Sequence, residues 1–351
     1  MLNNYKHLIP ASRLSAVEAV LQSLFHDTAI DHIELLSGGL SGSTVYKMVV
    51  NAKAYVLKLD KPEDRFASIR SEILNQTAEA GVAPPLYYYN EEDGISVTGF
   101  VSSQPIRAAM KPDQIIEKLG KNIRLLHSLS CKANSQDMLG TVDGLISEFQ
   151  QSEILSGWII DDVLVGYGKI RPVYPWRDMH KVLSHNDLNP GNIICDGKRL
   201  WLIDWDAASL NDRFVDLAAA ANFFVHTEEQ ERLLLQVYFE REPTPVEKGR
   251  FFLMRQVSRL IYGMLLAGVA ARAKPANHLH DQEVESCTLS RFSKLIKAGK
   301  ISMNTYEGQW FYAKANFNEA LHGMRSSRFE ESLCLMVGFD DKGQNVTVAS
   351  K

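Results

Sequence analysis

The run Leu183-Ser184-His185-Asn186-Asp187-Leu188-Asn189-Pro190-Gly191-Asn192-Ile193-Ile194 constrains this chain more than any other stretch. A turn at Pro190-Gly191 separates Asp187 from Asn192. Two short apolar runs follow, Ile193 to Cys195 and Leu200 to Ile203, joined by Asp196-Gly197-Lys198-Arg199. If those four residues form the loop, antiparallel pairing sets Cys195 opposite Leu200 and Asn192 opposite Ile203. Asp204 then emerges beside Asn192, so an amide oxygen and a carboxylate meet at one mouth of a hairpin. Hard oxygen ligands of this kind suit Mg²⁺, the expected cofactor, with Asn192 and Asp204 as its ligands.

Taken singly, each of these residues has a plain structural use. Asp187 can cap the turn at Pro190-Gly191, Asn192 can open a strand, and Asp204 can close one. Together they stand at the H-x-D-x-x-x-x-N spacing of kinase catalytic loops, where the Asp takes or orients the acceptor hydroxyl and the Asn holds a metal. That reading makes Asp187 the catalytic residue. His185 is read as a brace that hydrogen-bonds within the loop, not as a proton shuttle.

The rest of the chain is compatible with such chemistry. Its 351 residues suffice for two cooperating lobes, and 45% hydrophobic against 23% charged residues permits a buried core. A formal net charge of −4 gives no electrostatic case for nucleic acid as a partner. The cysteines, Cys131, Cys195, Cys287 and Cys334, lie far apart without a C-x-x-C pair, which argues against a zinc site or disulfide framework. Residues Met1 to Phe25 read as an amphipathic helix and not as a signal peptide. The longest apolar stretch, Leu260 to Ala270, is too short to span a bilayer. A cytoplasmic location is the expectation.

The first hundred residues read as strand-rich with one helix. Strands are expected at Ile33 to Ser37, Thr44 to Val50, Ala54 to Leu59, Leu86 to Tyr89 and Ile95 to Val101, with Asn51-Ala52-Lys53 as a hairpin signal. A helix over Ser68 to Ala80 stops at Gly81, with Pro84-Pro85 beyond it. Helices follow at Pro112 to Leu129, Phe251 to Ala273 and Glu283 to Ala298. Residues from about Gly140 to His180 read as irregular with helical segments. The expected class is α+β: a small strand-rich nucleotide-binding lobe over 1–103 and a larger, mostly helical catalytic and substrate-binding lobe over 104–351.

Three segments together carry a family resemblance: His185 through Asn192, then Ile203-Asp204-Trp205-Asp206, then Asn211-Asp212-Arg213-Phe214-Val215-Asp216-Leu217-Ala218. The chain resembles the aminoglycoside phosphotransferase and choline/ethanolamine kinase superfamily, over about Ile33 to Leu266. The resemblance implies a bilobal protein-kinase-like fold and phosphoryl transfer from ATP to a small-molecule hydroxyl. It implies that Lys58 binds the α and β phosphates. It also implies that Glu72, three residues after Ile69 and one before Ile73, turns inward to pair with Lys58. The turn Gly38-Gly39-Leu40-Ser41-Gly42-Ser43 would cover the phosphates, with Gly39, Ser41 and Ser43 supplying backbone amides, though it departs from the protein-kinase G-x-G-x-x-G. Phe100-Val101-Ser102-Ser103 falls at the adenine hinge, so Phe100 and Ser102 join the nucleotide residues. Asp216 would steady the catalytic loop, and Asp206 would touch the metal, line the acceptor pocket or face water. No D-F-G or A-P-E segment is present, which disfavours a protein kinase.

The acceptor is less legible. The Asn of His185-Asn186-Asp187 and the Trp205-Asp206 pattern look closest to bacterial choline kinases, favouring a choline- or ethanolamine-like amino alcohol. Trp158, Trp176, Trp205 and Tyr262 are candidates for a cation–π cage, although aromatic residues at such positions also serve as core. Tyr262 stands where choline kinases often show tryptophan. Glu148, Glu153, Asp161 and Asp162 would suit a cationic acceptor, or form a solvated acidic face. Aminoglycoside, thiamine and sugar acceptors, and a catalytically silent binding module, are the alternatives.

Overall fold

The computed structural model of the chain describes residues 5–27, 29–36, 43–60, 67–177 and 180–337. They fall into two compact units. The first takes Met1–Asn134 and Asp187–Ser209, and the second takes Ser135–Asn186 and Leu210–Lys351. The segment carrying Asp187, Asn192 and Asp204 therefore belongs to the same unit as the amino-terminal sheet.

In the first unit, α1 (Leu14–Phe25) precedes an antiparallel sheet of β1 (His32–Leu35), β2 (Thr44–Val50), β3 (Lys53–Leu59), β4 (Leu86–Asn90) and β5 (Ile95–Gly99). The strands lie in the order β1-β2-β3-β5-β4. Side chains alternate across a strand, so Tyr46, Met48 and Val50 of β2 and Tyr55, Leu57 and Leu59 of β3 all turn inward. They share a core with Val17, Val20 and Leu21 of α1. The same alternation puts Lys58 on the other face of β3, opposite Val45 on one side and Ser96 on the other. Asn51 and Ala52 both have positive φ, 52° and 60°, as a two-residue hairpin turn of the right twist demands. Lys53 is thus already in the strand. Asp31 steadies this unusual alanine by accepting the Ala52 N–H.

Helix α2 (Ala67–Glu79) ends at Gly81, whose φ of 71° lets the chain leave the helix. The N–H groups of Val82 and Ala83 then return to the Thr77 carbonyl. A short α3 (Ile106–Ala109) leads to α4 (Pro112–Ser128), with proline in the first turn and an apolar face of Ile115, Ile116, Leu119, Ile123 and Leu126.

The second unit contains α5 (Met138–Ser152), α6 (Trp158–Ile170) and β6 (Val182–Ser184). The first unit then contributes the hairpin β7 (Ile193–Cys195) and β8 (Leu200–Leu202), and β9 (Ser209–Asn211) straddles the return. The helices α7 (Arg213–Phe224), α8 (Glu228–Phe239), α9 (Pro245–Arg272), α10 (Leu289–Lys297), α11 (Tyr306–Met324) and α12 (Ser327–Met336) complete the second unit. Its axis is α9, opened by a Thr244–Glu247 capping box and buried along most of its circumference. Gly263 lets the Phe317 ring of α11 approach to 3.0 Å of where a Cβ would sit. Among the described residues no helix is long and apolar enough to cross a membrane.

Two expectations change. The stretch from about Gly140 to His180 is more ordered than it reads, because α5 and α6 occupy most of it. The helix expected from Glu283 begins only at Leu289. Glu283 accepts both the N–H and the hydroxyl of Ser286, closing a tight turn, and the Thr288 side chain caps the helix by accepting the Arg291 N–H.

Candidate active site

The site is built on the 187–206 segment. Counting loop residues set the hairpin register correctly: Cys195 pairs with Leu200 and Ile193 with Leu202. The Ile203 N–H donates to the Asn192 carbonyl at 3.0 Å, which brings Asn192 and Asp204 to one mouth. The hairpin is anchored within its own unit. The Leu202 N–H donates to the Val82 carbonyl, and the Asn122 amide donates to that of Leu200.

Both oxygens of the Asp187 carboxylate are held. Asn189 donates to Oδ1 at 2.9 Å, and Asn192 Nδ2 donates to Oδ2 at 2.9 Å and to the Asp187 carbonyl at 3.0 Å. With its nitrogen committed, Asn192 keeps Oδ1 as its acceptor. Asp204 has φ 64°, and Asn186, just before Asp187, has φ 65°. Non-glycine residues in the left-handed region are uncommon and tolerated best for Asn and Asp. Both flank the segment that carries Asp187 and Asn192, and such conformations concentrate at functional sites.

The residues before Asp187 belong to the second unit and are braced there. Asp216, wholly buried on α7, accepts the N–H groups of His185 and Asn186, each at 2.8 Å. Asn211 donates to Asn186 Oδ1 at 2.8 Å. Asp212 caps α7 and also receives the Tyr174 hydroxyl and the Arg250 guanidinium. Burial, and then the Asp212 charge, push the Tyr174 hydroxyl pKa well above its ordinary value, so it stays a donor.

Lys58 sits among three carboxylates of its own unit. Its Nζ lies 2.9 Å from Asp206 Oδ1, 3.2 Å from Asp204 Oδ1 and 3.4 Å from Asp60 Oδ1. Burial by itself would lower the lysine pKa. The charges of Asp206, Asp60 and Asp204 outweigh it and hold the pKa above the ordinary range. Burial would likewise raise Asp206, but Lys58 and then Arg70 keep it below the usual carboxylate value.

The expected Lys58–Glu72 pair does not form. Glu72 instead accepts the Lys132 N–H at 3.1 Å and the Gln76 amide at 3.2 Å. Arg70, two residues earlier and so about 200° around the helix, is the α2 side chain at the carboxylates. It lies 3.6 Å from Asp60 and 3.7 Å from Asp206. Sequence reasoning missed both Asp60 and Arg70. The signal for Asp60 was strand alternation, which returns it to the Lys58 face two residues on.

Ser43 donates to Asp60 Oδ1 at 2.6 Å, so its hydroxyl supports the carboxylate cluster. Gly39 and Ser41 lie outside the described residues. Phe100 continues the sheet through an N–H donated to the Ala54 carbonyl, with the Lys47 ammonium 4.7 Å from its ring centre, and Ser102 is exposed.

The aromatic candidates are dispersed. Trp205 is buried in the first unit, at the start of the turn after Asp204. In the second unit, Tyr262 stacks edge-on against Phe223, and Trp176 packs on Tyr174. Trp158 is 49% exposed, but Arg325 already lies 5.0 Å over its ring and Glu285 accepts its indole N–H. The cation on Trp158 is thus the chain's own guanidinium, whose other partner is Asp162. Glu148, Glu153 and Asp161 are exposed.

Among the described residues no three His, Cys, Asp or Glu side chains form a ready-made metal cage. Mg²⁺ takes one or two carboxylates and completes its shell with water and phosphate oxygens. Asn192 Oδ1 and Asp204 fit such a role.

The family model described as phosphotransferase enzyme family matches residues 32–248. No curated protein sequence matches the chain. Among solved structures, a choline/ethanolamine kinase family protein from Mesorhizobium loti is 18% identical, with a TM-score of 0.67 over 93% of this chain and 99% of that one. The choline kinase LicA from Streptococcus pneumoniae is 17% identical, with a TM-score of 0.56 over 81% and 97%. The macrolide 2'-phosphotransferase MphH from Brachybacterium faecium is 15% identical, with a TM-score of 0.54 over 74% and 93%. The fold is accordingly an α+β, protein-kinase-like one.

Proposed function

Since the chain belongs to the phosphotransferase enzyme family, we propose that it moves the γ-phosphoryl group of ATP onto a hydroxyl of a small molecule. The observation that carries this reading is the shared placement of Asp187, Asn192, Asp204 and Lys58 in one unit, with Asp187 fastened by Asn192. Asp187 orients the acceptor hydroxyl and receives its proton. The Asn192 and Asn189 amides hold that carboxylate in one orientation, so the cost of positioning it is met before the substrate arrives. Lys58 supplies a point charge to the phosphates. Asn192 and Asp204 would hold Mg²⁺, which when bound offsets charge on the phosphate oxygens. Phosphoryl transfer has a loose transition state, so positioning and electrostatics supply most of the gain.

For the acceptor we favour an amino alcohol of the choline or ethanolamine kind. The Asn186-Asp187 and Trp205-Asp206 patterns support it, as does the likeness to the Mesorhizobium loti choline/ethanolamine kinase family protein and the Streptococcus pneumoniae choline kinase. Trp158 and Trp176 do not add to this case, because each already has a partner. ADP release measured against choline, ethanolamine, aminoglycosides, macrolides, thiamine and simple sugars tests the reading. Stimulation by an amino alcohol supports it, and stimulation by another compound replaces the acceptor. Tight ATP binding with no stimulation by any of them favours a silent binding module.

A further inference from the structure

We propose that Arg70 is a second phosphate-binding cation, acting beside Lys58 on the β and γ phosphates of the nucleotide. This rests on the phosphotransferase reading above and adds a residue to it. The key relationship is shared charge. Arg70 Nη2 lies 3.7 Å from Asp206 Oδ1, the oxygen that also takes Lys58 Nζ at 2.9 Å. One carboxylate oxygen thus faces two cations. The side chains of Lys58 and Arg70 are only 19% and 16% exposed. Nearby stand Asp60, Asp204 and Asp206, so among the described residues two positive groups face three negative ones in a mostly buried cluster.

A triphosphate brings about four negative charges at neutral pH, more than one ammonium can balance. The Arg70 ion pairs with Asp60 and Asp206, at 3.6 and 3.7 Å, are longer than a hydrogen bond. A guanidinium offers a planar fork that matches phosphate oxygens, which an ammonium does not. The rival view is that Arg70 merely ties α2 to Asp60. Yet Asp60 is already secured without it, since Ser43 donates to its carboxylate and Arg13 donates to its carbonyl at 2.7 Å. Position on the helix also favours Arg70, because Glu72 turns toward Lys132 and leaves α2 one charged group at the cluster.

Direct binding of ATP, ADP, AMP and adenosine, with and without Mg²⁺, separates the two views. The proteins compared are the wild type, Arg70→Met, Arg70→Gln and Arg70→Lys. Loss of one charge-assisted phosphate contact predicts a drop of about 10- to 100-fold for ATP and ADP in the Met and Gln variants. AMP and adenosine should bind as to the wild type, and Arg70→Lys should recover part of the loss. Unchanged ATP affinity in both neutral variants would overturn the assignment. So would an equal loss for all four ligands, or failure of both neutral variants to fold, since each marks a structural residue. A wild type that binds no ATP would instead remove the phosphotransferase reading on which the assignment stands.

Discussion

The side-chain amide of Asn192 donates at once to the carbonyl and to the carboxylate of Asp187, at 3.0 and 2.9 Å. The proposed metal ligand therefore also orients the proposed base. Altering Asn192 should therefore disturb both functions.

Asp187→Ala should lower turnover by at least about a hundredfold, the usual contribution of a positioned proton acceptor. ATP affinity should change little, because Lys58 and its carboxylates lie outside the change. Steady-state kinetics with direct nucleotide binding checks this, and retained turnover would count heavily against Asp187.

Asn192→Asp should be more harmful than its size suggests. It sets a second carboxylate within hydrogen-bond range of Asp187 Oδ2, where Asn192 now donates at 2.9 Å. Like charges so close raise the pKa of one member of the pair. The acid limb of kcat/KM should therefore move to higher pH, and a pH–rate profile of the variant reads it directly.

Lys58 and Asp206 give the folded state a pH window. The Lys58 pKa is raised above its ordinary 10.5, so its contribution is complete below that value and fades as pH rises through the folded pKa. The Asp206 pKa is lowered below its ordinary 3.8, so its contribution is complete above that value and is lost as pH falls through the folded pKa. Asp206→Asn should lower the Tm near neutral pH and flatten its fall in acid. Melting curves across the pH range test this, and an unchanged acid limb would remove Asp206 from the cluster.

Asp216→Asn tests the brace before Asp187, the proposed catalytic residue. Asp216 accepts two N–H groups with two carboxylate oxygens, and an asparagine offers only one. One buried donor is left unpaired, at a cost of about 1–3 kcal/mol. A lower Tm and a lower kcat with near-normal ATP affinity are expected, and calorimetry with kinetics checks both.

Local chemistry was legible in the residues themselves. A β-branched and apolar run beside a hairpin signal placed β2 as Thr44–Val50, loop length paired Cys195 with Leu200, and Pro112 marked the start of α4. These depend on neighbours a few positions away, where backbone geometry leaves few choices. The three motif residues converged because one short hairpin carries most of the distance between them.

Partner choice over long separations came only from the tertiary structure. Lys58 meets Asp206 across 148 positions and takes Asp60 and Asp204 in place of Glu72. Helical periodicity gave α2 a face but not its rotation about its own axis, and a rotation of about 200° exchanges Arg70 for Glu72. The aromatic residues diverged for the same reason: an indole or phenol is stabilised equally by a substrate cation, a neighbouring ring or the chain's own arginine, and packing alone chose among them.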